Sequence, residues 1–519
     1  MRYYLGLDNG GTTTKAALFD SYGNEIGAAS VDTRMLTPRP GFIERDLEEM
    51  WEANLIVIRR VLETTGVDPA CIRALAVCGH GKGLYLWGKD GKPVRNGIIS
   101  TDNRAWEYPL KWRKSGVEAR AFKLTCQHVL ACQPVALLAW LKDNEPEAMD
   151  NIQYVFGCKD YIRFRLTGEA HAEMTDCSGS SLLNLHTKSY DPEILQCFGL
   201  SELMDKLPPL RLSTDICGVV NEETAMSTGL LPGTPVAGGM FDINACALAA
   251  HVADEEHVCM IAGTWSINEF IRKTPVTDGT VLMNSLFCLP DYYLIEECSP
   301  TSAGNNEWFI KTLMPEFVEQ AQANGNSPYD EINSLVEGLE PHTYCPIFLP
   351  FLMASNVHPN AKGAFIGMSS YHSRAHLIRS VYEGIAFSHR YHYERLRQCM
   401  DQEPKSIRLA GGVARSRVWT QIFADVMKCP IEVVKVRETG ALGCAIAAAV
   451  AVGDYNTLEE ALDGMSHLAS VVTPNPTNYP IYDKKYTLYT RLIEALDPVW
   501  NEVQALADEG EGGEQCSKH

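Results

Sequence analysis

The chain has 519 residues, 45% of them hydrophobic and 21% charged, the composition of a soluble globular protein with length for roughly two to four domains, each able to bury its own core. A formal net charge of −20 excludes a nucleic-acid or anionic-membrane partner, because a general phosphate-backbone binder needs a broad basic surface; an anionic small substrate stays open if local Lys or Arg meets it. Seventeen scattered cysteines, odd in number and without a CxxC pair, and a start that reaches Asp8 before a signal-type apolar region, read as reduced thiols of a cytoplasmic protein.

In chain order, "YYLGLD" and "TKAALFD" are short strands on either side of a glycine turn, and "AALFDSYGNEIGAASVD" turns at Tyr-Gly-Asn into a third, so the chain opens as a β-meander. "DLEEMWEANLIVIRRVLETTG" is an amphipathic helix: Asp46 and Glu49 have capping-box spacing, Leu47, Trp51, Leu55, Ile58 and Leu62 form one stripe, and Gly66 stops it. "IRALAVCG" is a buried strand leading into "GHGKG", and "GLYLWGKDGKPVRNGIIS" is a hairpin turning at Asp90 and Gly91. After "GGMFDINACALAAHVADEE" a second unit begins, and its "HVCMIAGTWSINEFIRK" repeats the opening plan of strand, small Gly-Thr turn and strand. "SIRLAGGVARSRVWTQIFADVM" is a strand, a Gly-Gly turn and a helix with Trp419, Ile422, Phe423 and Val426 on one face. "CPIEVVKV" and the alanine-rich helix after Glu438 finish this unit. That helix lies in "TGALGCAIAAAVAVG", shorter than the roughly 20 residues of a membrane span, and reads as buried between layers. Beyond Leu506 the tail has almost no apolar residues and is expected to be disordered. The layout is α/β.

The turn "DNGGTTTK" exposes successive N–H groups, hydroxyls and a cation, which suits phosphate oxygens, with Asp8 placed to hold a hydrated Mg²⁺; the same residues also fit a plain tight hairpin. Two other patterns are set aside. "GLYLWGK", Gly83 to Lys89, fits the first part of a Walker A motif, but Asp90 follows it and an apolar strand fills it. His372 with His376, and His389 with His392, have helical metal-ligand spacing, yet no carboxylate or cysteine completes either set. In "PVAGGMFDINACA", Asp242 follows two glycines and opens a small-residue helix; it is either a cap or a carboxylate that deprotonates a hydroxyl attacking a phosphate donor. "AGGVARSRVW" sets the bare backbone of Gly411 and Gly412 at the end of a strand, where open α/β sheets bind ligands, but lacks the third glycine of a dinucleotide fingerprint. "GHGKG" and "STDNR" bring His80, Lys82, Asp102 and Arg104 to strand ends, a mixture suited to the hydroxyls or carboxylate of a sugar.

These pieces, in this order over nearly the whole chain, resemble the FGGY family of carbohydrate kinases, as do "AGTWS" and "GAFIGMSSYHSRAHLIRSVYEGIAFS". Within it, "QPVALL", "SPTSAGNNEWF" and "GHGKGLYL" look most like the branch that phosphorylates L-xylulose and 3-keto-L-gulonate. The resemblance implies two actin-like (RNase H-like) domains with ATP and sugar in a cleft between them: residues 1–248 for sugar and the first phosphate loop, 249–505 for nucleotide, and 506–519 as an acidic tail. It implies Asp242 as catalytic base, Asp8 with Asp242 at Mg²⁺, and His80, Gly81, Lys82, Asp102, Arg104 and Asp242 at the sugar. For ATP it implies Gly10, Gly11, Thr12, Thr13 and Lys15 in the first phosphate loop, Gly263 and Thr264 in the second, and Gly304, Gly411, Gly412 and Ser416 around the nucleotide. Gly11 stands where many members have threonine, and Gly81-Lys82 replaces the Met-His of D-xylulose kinases, which argues against D-xylulose and supplies a cation for a sugar acid.

The expected activity is ATP-dependent phosphorylation of a primary hydroxyl of a small ketose or keto-sugar acid, with L-xylulose or 3-keto-L-gulonate the first choice, in carbohydrate catabolism. The alternatives are a kinase for another pentulose or polyol (D-xylulose, erythritol, glycerol) and an actin-like ATPase without sugar kinase activity. Symmetry base rates point to a homodimer.

Overall fold

The computed structural model describes residues 1–263 and 265–506. The expected tail and Thr264 therefore lie outside the described residues. By compactness the chain forms two units: Met1–Glu255 with Phe270–Ile295 and Val434–Leu468, and Glu256–Glu269 with Glu296–Val433 and the segment from Ala469 onward.

The first unit is built on the expected meander. Strands β1 (Tyr3–Asn9), β2 (Thr13–Asp20) and β3 (Glu25–Asp32) are antiparallel neighbours, with Asp8 opposite Lys15 and Gly6 opposite Ala17. On the other side of β1 the strand Ile72–Gly79 runs parallel to it, with Asp8 opposite Cys78. Pro235–Ala237 and Met240–Phe241 both pair in parallel with Ile72–Gly79, the latter at its C-terminal end, where Phe241 faces Gly79. Three parallel strands thus deliver Asp8, His80 and Asp242 to one edge of the sheet, the edge at which open α/β sheets bind ligands.

The period-two alternation of β1 assigns its faces. Leu5 and Leu7 join a core with Ala16 and Leu18 of β2 and the apolar side of α1 (Leu47–Thr65), including Trp51, Leu55, Ile58 and Leu62. Each such side chain is worth roughly 1.5–3 kcal/mol when fully buried. Asp46 caps α1 by accepting from the N–H groups of Glu48 and Glu49, both at 2.9 Å, and Gly66 ends it in a left-handed conformation. The capping box is only half made, because the Glu49 carboxylate turns to Arg34 (2.7 Å to Nη2).

Gly6 and Asp8 project from the opposite face, which the alanine-rich helix Thr439–Ala451 covers. The sequence order puts this helix with the second unit; its packing partners are β1, the strand Ile72–Gly79 and the helix Asp242–Ala249, all in the first. The approach is close enough that a Cβ on Gly6 would lie 2.0 Å from the Ala441 carbonyl oxygen, and one on Gly443 2.3 Å from that of Ala245. Among the described residues no helix is long and apolar enough to cross a membrane.

The expected hairpin differs in its partner. The turn at Asp90 and Gly91 closes through Gly88 N to Lys92 O at 2.8 Å, but the returning limb meets the outgoing one only in isolated bridges and pairs instead, through Gly97–Ile98, with Phe42–Arg45, while Tyr85–Gly88 pairs along its length with Ile152–Phe156. "GLYLWGK" is accordingly a sheet strand and no phosphate cradle.

In the second unit His257–Ala262 and Ser406–Gly411 run parallel, with Ala262 opposite Gly411, and Ile431–Val434 extends the sheet. Ser266–Arg272 lies on the other side of His257–Ala262, repeating the placement of β2 beside β1. The helix Arg417–Met427 buries the expected face of Trp419, Ile422, Phe423 and Val426, and Trp419 stacks on Tyr382 with ring centroids 4.0 Å apart.

Candidate active site

In the first unit the loop after β1 is closed by Gly10 N donating to Thr13 O (3.1 Å) and tied down by Arg45 Nη1 donating to Gly10 O (2.8 Å). Thr13 Oγ1 bonds Asp32 (3.2 Å), whereas Thr12 is exposed and the space a Gly11 side chain would fill is open. Lys15 points to the face that carries Asp8, and its ammonium pairs with Glu438 at 2.9 Å. Gly440, two residues on, fits over Asp8: a Cβ there would lie 2.9 Å from Asp8 Oδ2 and 3.2 Å from Cys78 Sγ. Burial pushes the Asp8 carboxyl above its ordinary range, Lys15 opposing and Glu438 reinforcing the shift.

Asp242 opens the helix Asp242–Ala249, and its Oδ1 accepts the Ile243 N–H at 2.8 Å. The preceding turn needs glycine. Gly239 has φ of +72°, and a Cβ there would come within 1.9 Å of the Val77 carbonyl oxygen. Arg163 holds this turn by donating to Gly238 O at 2.5 Å. Burial, then the charge of Asp8, raise the Asp242 carboxyl well above the usual range; Asp176 adds to the rise and Lys82 opposes it. Asp8, Asp242, Asp176 and Lys82 therefore form one electrostatic group.

His80 follows the strand Ile72–Gly79; its Nε2 meets the Tyr85 hydroxyl at 2.6 Å, and burial lowers its pKa to about 4, so the ring is neutral at physiological pH. Lys82 is buried in a left-handed conformation (φ 63°), a placement that costs a side-chain-bearing residue on the order of 1–3 kcal/mol. Its ammonium sits 5.6 Å from the centroid of the Phe241 ring, and a Cβ on Gly81 would lie 2.4 Å from that same ring. Asp102 and Arg104 are bound mainly to each other and to their neighbours: Asp102 Oδ2 accepts from Ile43 N (2.6 Å) and Arg104 Nη2 (2.9 Å), and Nη2 also reaches Glu44 (2.8 Å). Arg104 Nη1 is buried without a hydrogen-bond partner among the described residues.

The sequence reading passed over a second acidic feature. Lys159, Asp160 and Arg163 on the helix Cys158–Thr167, with Glu173 and Asp176, make a buried ion cluster. Burial works against charge on Lys159, but the three carboxylates outweigh it and hold the ammonium above its ordinary range. Burial lifts Asp176 to about 7 against the pull of Lys159. The signal was "KDYIRFR" beside "HAEMTD", which periodicity alone reads as a solvated face.

In the second unit Gly263 follows the strand His257–Ala262, and Gly411 and Gly412 leave the adjacent strand with exposed backbone. Gly411 has φ of +91°, and a Cβ there would stand 2.5 Å from Ala262 O, while the space beside Gly412 is open. Ser416 caps the next helix through Trp419 N (3.2 Å) and donates to Asn333 (2.7 Å). Gly304 begins the helix Gly304–Leu313; just before it Ser302 Oγ meets His389 Nε2 (2.8 Å), whose Nδ1 meets Asn268 (3.0 Å). His389 is thus a core residue, and His376 caps its own helix with Ser373. Among the described residues no group of three or more His, Cys, Asp or Glu is arranged to hold a metal ion.

Residues 3–249 match the N-terminal domain, and residues 258–452 the C-terminal domain, of the FGGY family of carbohydrate kinases. The chain is 38% identical over 497 residues to the L-xylulose/3-keto-L-gulonate kinase of Escherichia coli (strain K12), covering 95% of this chain and 97% of that one. It belongs to the FGGY family. The FGGY chain is also 36% identical to the probable L-xylulose kinase of Pasteurella multocida (strain Pm70), over 96% of this chain and 99% of that one. In fold it resembles a ligand-bound xylulose kinase from Lactobacillus acidophilus, with a TM-score of 0.85, 24% identity and coverage of 97% of this chain and 100% of that chain. As an FGGY carbohydrate kinase it is an ATP-dependent phosphotransferase with a sugar alcohol group as acceptor, and the two sheets described above are the α/β units of that fold.

Proposed function

We propose that this kinase phosphorylates a primary hydroxyl of L-xylulose or 3-keto-L-gulonate in cytoplasmic carbohydrate catabolism. The proposal for the acceptor rests on the names of the two relatives and on Lys82, a buried cation beside Asp242. The single observation that carries the chemistry is the placement of Asp242 at the end of the parallel strands, with its Oδ1 held by the Ile243 N–H. Residues 1–248 would bind the sugar and carry the first phosphate loop, residues 249–505 would bind the nucleotide, and two copies would form a homodimer.

In this reading Asp242 accepts the proton of the attacking hydroxyl. Its Oδ1 is held by Ile243 N–H, which fixes the carboxylate, and we assign the other oxygen to the hydroxyl. Lys15 leaves or shares Glu438 to meet the phosphate chain, with Gly10, Gly11, Thr12 and Thr13 supplying backbone and hydroxyl donors; the open space at Gly11 leaves phosphate room to approach the backbone. Gly263, Thr264, Gly304, Gly411, Gly412 and Ser416 are assigned to the nucleotide. His80, Gly81, Lys82, Asp102 and Arg104 are assigned to the sugar, and within the Asp102–Arg104 pair Nη1 of Arg104 is the atom with capacity to spare. Asp8 and Asp242 fit Mg²⁺: they are two carboxylates whose burial and mutual repulsion a cation relieves, and this metal asks for only one or two protein carboxylates besides water and phosphate. When bound, it would neutralise charge on the transferring phosphoryl group.

The test is coupled ADP release with a panel of pentuloses, polyols and keto-sugar acids. L-xylulose or 3-keto-L-gulonate should give the highest kcat/KM. Preference for D-xylulose, erythritol or glycerol would overturn the substrate, and ATP hydrolysis indifferent to every sugar would overturn the kinase reading of the site.

A further inference from the structure

Asp176 is the carboxylate of the buried cluster that keeps unfilled hydrogen-bonding capacity. Asp160 receives Lys159 Nζ at 2.7 Å and Arg163 Nη1 at 2.8 Å. Glu173 receives Thr175 N at 3.0 Å, Thr175 Oγ1 at 2.7 Å and Ser213 Oγ at 2.8 Å. Asp176 is 6% exposed, no donor among the described residues reaches its Oδ2, and Lys159 Nζ stands 3.7 Å away, beyond hydrogen-bond range. Two cations, Lys159 and Arg163, face three carboxylates, Asp160, Glu173 and Asp176, so the cluster carries one negative charge in excess whenever Asp176 is ionised. A buried carboxylate oxygen without a donor is costly, and in a native protein such an atom calls for an explanation.

Position supplies one. Asp176 sits in the helix Met174–Ser178, and the residue before it, Thr175, accepts the Phe241 N–H at 3.0 Å, which pins this helix to the residue preceding Asp242. The Phe241 ring in turn lies under the Lys82 ammonium and against Gly81. Three chain segments bearing Lys82, Asp176 and Asp242 therefore converge on Phe241. Gly157 packs against this oxygen, since a Cβ there would come within 2.4 Å of Oδ2.

We propose that Asp176 is a substrate-binding residue whose carboxylate accepts a hydrogen bond from a sugar hydroxyl other than the one phosphorylated. This rests on the reading of the Asp242 site as the acceptor-sugar site. Asp176 then contributes to the choice of ketose, because a sugar lacking that hydroxyl, or carrying it with the opposite configuration, leaves the carboxylate without its donor.

The test pairs residue truncation with ligand truncation. The full-length wild type, Asp176→Ala and Asp176→Asn are compared by kcat/KM on L-xylulose and on its single-deoxy analogues, with KM for ATP and thermal unfolding measured alongside. Asp176→Ala should lose about 10- to 100-fold on the parent sugar, the range for a hydrogen bond to a charged group, with KM for ATP unchanged. One deoxy analogue should be used about equally by wild type and variant, and Asp176→Asn, which keeps the shape and one acceptor oxygen, should fall between them. Equal losses on the parent and on every analogue would make Asp176 purely structural and overturn the proposal, as would an unchanged kcat/KM on the parent. A wild type inactive on ketopentoses would instead refute the proposed substrate, and the same cycle would be run on deoxy forms of the sugar it does use.

Discussion

Replacing Asp242 by Asn separates catalysis from stability, because the structure predicts opposite signs for the two. The amide oxygen of Asn takes over the Ile243 N–H at 2.8 Å, so the start of the helix keeps its hydrogen bond. What disappears is a negative charge in a place where burial, Asp8 and Asp176 all disfavour it, and each unit by which a carboxyl pKa is raised costs the ionised native state about 1.4 kcal/mol. Asp242→Asn should therefore unfold at the same temperature as the wild type or higher at pH 7.5. Turnover should fall by about 10²–10⁴-fold, the range associated with a positioned general base, while KM for ATP stays within a factor of a few. Coupled ADP release, nucleotide titration and a thermal melt measure the three quantities on one preparation. A kcat within about tenfold of the wild type would remove Asp242 from the base role. A melt lowered by several degrees would show that the carboxylate is structural and that the electrostatic argument has the wrong sign.

Lys82→Met should reduce kcat/KM for 3-keto-L-gulonate more than for L-xylulose, since only the former offers a carboxylate to the ammonium; equal losses on both would take Lys82 out of that role. Gly440→Ala places a methyl 2.9 Å from Asp8 Oδ2 and should lower kcat and raise the Mg²⁺ concentration needed for half-maximal rate, and an unchanged Mg²⁺ titration would refute the assignment of Asp8. Asp176 has a folded pKa of about 7 against 3.8 when unfolded, so the native state binds the extra proton between those values and stability from this group is lost as pH rises through them, by roughly 4 kcal/mol in full. Because buried His80 titrates in the opposite sense below pH 6.5, the clean measurement is a difference: the melting temperature of Asp176→Asn minus that of the wild type should grow from pH 5 to pH 8. A flat difference would mean that Asp176 is not strained by its charge.

Much of the backbone around the candidate site was legible because its signals are local. A glycine turn between apolar runs, a carboxylate after two glycines and a Gly-Gly pair at a strand end each encode their own backbone, and Gly239 and Gly411 occupy left-handed conformations that other residues rarely adopt. The half-made cap of α1 marks the limit of that kind of reading. Asp46 is fixed by its own helix, but Glu49 had a choice of donors, and Arg34, brought near by tertiary folding, won it.

The alanine-rich helix and the buried cluster were illegible for different reasons. Hydropathy said that "TGALGCAIAAAVAVG" is buried, but a helix uniform around its circumference carries no arrow toward its partner, and the chain comes back to the first sheet only after the strands of the second unit. The arrow was in the glycines: Gly6 within a strand and Gly440 and Gly443 within a helix make little sense for propensity and full sense for close backbone approach. The cluster hid behind an opposite assumption, that Lys, Asp and Arg on a helix face water. Lys159, Asp160 and Arg163 are all buried, and their helix pays for it only because Glu173 and Asp176 arrive from a separate segment to balance most of the charge. Pattern at 3.6 residues detects an apolar face, and cannot detect a polar face that is neutralised from outside. The excess carboxylate left over from that neutralisation is Asp176, so the residue least visible to sequence patterning is the one whose electrostatics the Asp242 site shares.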